Sequence, residues 1–146
     1  MDGSQAERVA VMCWGVNMAK AIFIMLMATL ALIDWRTMRI HNWIVLPAIG
    51  LGVYLTSNWH WALATYVGIA LLYHDTELNP RGIISLGGGD VKLFTMIAAY
   101  LGIFVVPIFV FTLLLVKAYR TARYIFYEPL PVAPFALLVS ICFLAT

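Results

Sequence analysis

The sequence predicts an all-α integral membrane protein, one domain over residues 1–146 folded as a bundle of about six transmembrane helices, some of them short. Three observations carry that expectation. Apolar residues make up 64% of the chain and charged residues 11%, against about half and about a quarter in soluble domains. The mean hydropathy is +0.94, more apolar surface than a core of this size encloses, so lipid must cover the remainder. The polar residues gather in short stretches between apolar runs, which gives the pattern of a multi-pass chain.

The first apolar run spans about Val9 to Ile33 and stops at Asp34. Counting about 20 residues back from Asp34 starts the membrane portion near Trp14 and puts Lys20 about 9 Å inside the outer boundary, close enough for its stem to snorkel back to the headgroups. The opening "MDGSQAER" has two acids before its first arginine and no basic leader region, so this run reads as a retained span. "DWRTMRIHN" (34–42) is a polar loop, followed by the apolar stretch 43–56, the turn "SNWH", and the stretch 61–73. Both stretches are short for spans, and tilt, thinning or burial must compensate. Trp43, Trp59 and Trp61 suit interfacial positions. "HDTELNPRG" (74–82) reads as a loop turning at Asn79-Pro80.

Charge placement decides the second half. Arg36 and Arg39 put the first loop in the cytoplasm by the positive-inside rule, and Arg81 and Lys92 fall on the same side two spans later. A single helix over 91–116 would leave Lys117, Arg120 and Arg123 outside. A hairpin breaking near Gly102 to Pro107 returns them to the cytoplasm, and a last span from about Leu130 to Thr146 completes the bundle. The net charge of +2 gives no reason to expect a nucleic-acid partner. Cys13 and Cys142 have no metal-ligand spacing, and no metal or cofactor is expected.

Two of the seven carboxylates stand apart. Asp34 and Asp90 each sit at the end of a hydrophobic helix, an even number of spans apart, and so fall on the same cytoplasmic face. Ionisable groups at membrane depth are costly and mark function by default. Two carboxylates brought close share one proton, so that one activates water while the other protonates the leaving group. The competing reading makes Asp34 a helix-end residue facing Arg36 or Arg39, and Asp90 a cap. Spacing alone does not choose between them. The glycines before Asp90, "GGGDVK" (87–92), permit φ > 0 and close backbone approach, which suits an extended peptide beside the acid. A phosphate loop is disfavoured because GxxxxGK[ST] is absent and an acid follows the glycines directly. Lys92 is expected to meet headgroups or, as the alternative, to tune the acid.

These residues resemble a known family. "GGGDVKL" (87–93) is similar to the GxGDxK signature of the type IV prepilin peptidases and archaeal preflagellin peptidases, integral membrane aspartic proteases. "DWRTMRIHNW" (34–43) resembles their other active-site segment, with His41 where a proline is usual, and "LPVAPFALL" (130–138) resembles the opening of their last helix. The resemblance implies Asp34 and Asp90 as catalytic residues. It also implies supporting or substrate-loop roles for Gly87, Gly89, Lys92, Arg36, Arg39 and Asn42. It further implies hydrolysis after a glycine in a prepilin or pseudopilin leader at the bacterial inner membrane, with pilus-assembly machinery as a further partner. The paired CxxC domain of bifunctional members is missing, which resembles the short enzymes of Tad/Flp-type pili. Two other classes remain open: a presenilin-like intramembrane protease, and a non-enzymatic scaffold or transporter subunit that uses the aspartates structurally.

Overall fold

The computed structural model describes residues 3–78, 88–123 and 130–145. All secondary structure among them is helical: α1 (Gly3–Thr37), α2 (Asn42–Thr56), α3 (Trp59–Leu78), α4 (Gly88–Leu101), a 3₁₀ turn at Gly102–Phe104, α5 (Val105–Arg123) and α6 (Ala133–Ala145).

The centre of the bundle is α4. Val91 and every residue from Leu93 to Tyr100 are buried, as expected of a helix apolar on all sides. It packs against α2 and α3, while α1 packs against α6 and α2, and α5 against α6. At 14 residues α4 is only about 21 Å long; burial among its neighbours is what a helix this short obtains. On α1 the buried stripe is Ala19, Phe23, Met27, Leu30 and Asp34, spaced four, four, three and four residues apart, so one helical face leads straight to the carboxylate. The other faces remain apolar but exposed: Met25, Leu32, Trp43, Tyr54 and Leu71 all point outward.

The turn after α4 reverses the chain. The Phe94 and Phe109 rings meet edge to face with centroids 4.8 Å apart, whereas a straight helix would separate them by about 22 Å. Gly102 makes the reversal with φ +60°, and a Cβ there would also meet the Asn58 amide at 3.4 Å. The break thus falls within the stretch that charge placement marks out. Pro107, in the first turn of α5, sits where its missing N–H costs nothing.

Two element boundaries differ from the sequence-based expectation. Helix α1 does not stop at Asp34 but runs a further turn to Thr37. It ends where Met38 adopts φ 52° and its N–H donates to the Asp34 carbonyl (2.8 Å). A left-handed residue closes the helix, the role glycine usually fills. Since a non-glycine side chain costs about 1 kcal/mol in that conformation, Met38→Gly is expected to raise thermal stability, read as a higher midpoint in a denaturation scan. Helix α3 likewise continues through "HDTEL" to Leu78, where a loop was expected. Nothing in those residues forbids helix, and the first residue that does is Asn79, disfavoured because Pro80 follows. Asn79-Pro80 itself lies outside the described residues.

Candidate active site

At the end of the bundle where α1 stops, the last turn of α1 meets the first turns of α2, α4 and α6. Asp34 is buried there at 5% exposure, and its Oδ2 accepts a hydrogen bond from the Ala133 N–H at 3.0 Å. A carboxylate from α1 therefore caps the N-terminus of α6, across 99 residues of sequence. The cap satisfies an amide that has no partner within α6 and places negative charge at the positive end of that helix dipole. The arrangement accounts for how α1 passes a buried acid without breaking.

Asp90 lies half-buried in the first turn of α4. Two contacts fix that turn against α2 and the segment before it. The Lys92 ammonium donates to Asn42 Oδ1 at 2.7 Å, so this lysine takes a protein partner where headgroups were expected. Gly89 faces Ile40 so closely that a Cβ would stand 3.2 Å from the Ile40 Cβ. Of the two things the glycines permit, positive φ and close approach, the described ones use the second: Gly88 and Gly89 are helical, and Gly102 is the positive-φ glycine among the described residues. Gly89 is small because the 38–41 segment lies against it, and Gly87 lies outside the described residues. The two described glycines of the run therefore predict opposite outcomes. Gly88→Ala meets nothing within 4 Å and is expected to leave the unfolding temperature unchanged or slightly raised. Gly89→Ala must push Ile40, and with it the link between Asp34 and Asn42, and is expected to cost about 1 kcal/mol or more of stability. A denaturation scan on the two variants checks both.

Arg36 and Arg39 are exposed on the same end. His41 is the N-cap of α2 in extended conformation, φ −81°, at the edge of the range a proline would hold, so the turn keeps the shape that proline gives. Three further contributors were not among the expected site residues. Ile40 sets the need for glycine at 89, and the Ala133 amide holds Asp34. The Thr37 hydroxyl lies between the carbonyls of Ile33 (2.9 Å) and Arg39 (3.1 Å), tying the end of α1 to the segment after it. Only the proline-flanked opening of α6, "LPVAP", hints at the second of these. Among the described residues no three His, Cys, Asp or Glu side chains cluster in a way that holds a metal.

Chemically, this end carries one acid in a low-dielectric setting with helix-terminal amides beside it, and a second acid half-open to substrate on a different helix. Residues 21–121, which include both acids and the Lys92–Asn42 contact, match the model of the type IV leader peptidase family. No curated protein and no solved structure matches the chain. The family match covers well over half of the sequence, and the chain therefore belongs to the type IV leader peptidase family.

Proposed function

We propose that this chain is a multi-pass membrane aspartic endopeptidase that removes the leader of a Flp-type prepilin or related pseudopilin. It cuts after the glycine at the leader boundary, on the cytoplasmic side of a bacterial inner membrane, with Asp34 and Asp90 as the water-activating pair. The observation that carries this reading is the placement of the two acids on α1 and α4 at one end of the bundle, inside the family match.

The membrane reading is supported by outward-facing apolar side chains on every side of the core. It is also supported by the run Asn17–Thr37, long and apolar enough to cross a bilayer, and by the apolar stretch Gly88–Ala122, which folds back on itself at Gly102 as the pair α4 and α5. Exposed Trp35 and Trp43 at the Asp34 end, and Tyr54 and Trp59 at the opposite end, form two interfacial belts. Arg36, Arg39, Lys92, Lys117 and Arg120 all lie toward the Asp34 end, which makes that end cytoplasmic by the positive-inside rule.

In the reaction, the ionised carboxylate of the pair takes a proton from water as the water oxygen bonds to the glycine carbonyl carbon. The protonated partner gives its proton to the carbonyl oxygen. Collapse of the tetrahedral intermediate breaks the C–N bond, and a proton passes to the leaving nitrogen. Hydroxyl ends on the leader and hydrogen on the new N-terminus, with no metal or cofactor required. Purified protein incubated with a Flp-type prepilin in detergent is expected to release a leader ending in glycine, identified by mass. Failure to cut any glycine-bearing prepilin would favour the second reading, a scaffold in which Asp34 serves only as the α6 cap seen at Ala133.

A further inference from the structure

At the end of the bundle opposite the two acids is a cavity of about 320 Å³ lined by Lys20, Phe23, Leu55, Thr56, Asn58 and Tyr100, among others. Its polar groups are one cation, two hydroxyls and an amide, with no acid among them. Lys20 brings an ammonium into an apolar helix, and among the described side chains it has no acidic partner: Asp34 and Asp90 both lie at the far end. It is the one described lysine or arginine in that half of the bundle. The Tyr100 side chain is only 6% exposed, and its hydroxyl has no hydrogen-bond partner in the protein. Asn58, at the turn between α2 and α3, adds an amide beside Gly102. A buried hydroxyl without a partner is costly, and the exposed Lys20 side chain brings to the same cavity a cation with no acidic partner among the described residues. One acceptor-rich anion satisfies both.

We infer that this cavity binds the phosphate of an anionic phospholipid in the outer leaflet, with Lys20, Tyr100 and Asn58 as the phosphate-facing groups. The chemistry recognised is a phosphate ester, and its position favours the lipid over a free ion. The 57–58 turn and exposed Trp59 mark headgroup height on the interfacial-belt reading, and Lys20 sits within a snorkelling distance of it. Selectivity follows from the same groups. The cavity offers a cation and, among the described residues, no acid, so Lys20 attracts a lipid of net negative charge and repels the choline or ethanolamine cation of a zwitterionic one. The inference rests on the membrane-embedded part of the proposed function and not on the aspartate pair, so loss of peptidase activity in an Asp34 or Asp90 variant leaves it untouched.

The test is native mass spectrometry of the full chain released from micelles, titrated separately with phosphatidylglycerol, phosphatidylcholine and inorganic phosphate. Phosphatidylglycerol is expected to bind at least fivefold more tightly than phosphatidylcholine, and inorganic phosphate not to bind at matching concentrations. Lys20→Met is expected to lower phosphatidylglycerol affinity at least fivefold, with Lys20→Arg retaining it. Tyr100→Phe is expected to lower it about threefold while leaving the lipid-free unfolding temperature unchanged or raised, because it removes an unpartnered hydroxyl. Equal binding of the two lipids, saturation by inorganic phosphate alone, or parental affinity in both Lys20→Met and Tyr100→Phe would overturn the assignment.

Discussion

Asp34→Asn and Asp90→Asn, made singly, are each expected to lower leader cleavage by about 100- to 10,000-fold, the range that general acid–base groups contribute. The two positions differ in what else they do, and the difference separates catalysis from structure. Asp34 Oδ2 holds the Ala133 amide, and an asparagine oxygen accepts that same bond. Asp34→Asn therefore keeps the α6 cap and removes the ability to exchange a proton. Asp34→Ala loses both, and its extra cost in stability is about 1 kcal/mol, the usual penalty for a lost cap. A folded, inactive Asp34→Asn assigns the carboxyl to chemistry. An active Asp34→Asn alongside an unstable Asp34→Ala assigns it to capping alone and sinks the pair. For Asp90, on the first turn of α4, the parental fold in Asp90→Asn is verified by its unfolding temperature before the rate is compared.

What the sequence discloses about this fold is limited by the environment it is written for. In a soluble helix, polarity marks the outward face; here the outward and inward faces are both apolar. Phe23 is buried and Met25 exposed, yet nothing in their chemistry distinguishes them. The phase of α1 becomes readable only from Asp34, because stepping back from it by four, three and four residues gives Leu30, Met27 and Phe23. The position of the break after α4 was legible because charge sides it: Lys117 and Arg120 must return to the end that carries Arg36 and Arg39. The end of α1 was not legible. An acid after a hydrophobic run reads as the start of water, and the amide that accommodates it comes from Ala133, on the last helix of the chain. The glycine run was legible in part. Its composition permits close approach, and Gly89 shows it, but that the approaching group is Ile40 is a contact between segments far apart in sequence. Helix positions were written locally; the site was written in contacts between helices.

The same interface yields the largest expected effect on stability. Gly52 faces α4, and a Cβ there would stand 2.6 Å and 2.7 Å from two carbons of the Tyr100 ring and 3.1 Å from the Ala99 Cβ. Phe23 packs on the ring with centroids 5.4 Å apart, so the ring can yield only toward the cavity beside Lys20, and not on the side that carries Phe23. Gly52→Ala must then drive the ring that way or force α2 and α4 apart, at an expected cost of about 1–3 kcal/mol, the range for overpacking a close-fitted core. Gly50, half a turn away, meets nothing within 4 Å, and Gly50→Ala is expected to hold or gain up to about 1 kcal/mol from helix propensity. The two substitutions have the same chemistry on opposite faces of one helix, so their difference reports the approach of α2 to α4 and nothing else. Combining Gly52→Ala with Tyr100→Leu is expected to recover part of the loss, as contacting residues couple. Cleavage should fall with stability in Gly52→Ala, because the Thr56 hydroxyl bonded to the Ala99 carbonyl and the Lys92–Asn42 bond lie along that same seam, and displacing α4 moves Asp90. Equal unfolding temperatures for Gly50→Ala and Gly52→Ala would mean that α2 and α4 do not meet at Gly52, and the contacts that seat Asp90 would have to be drawn again.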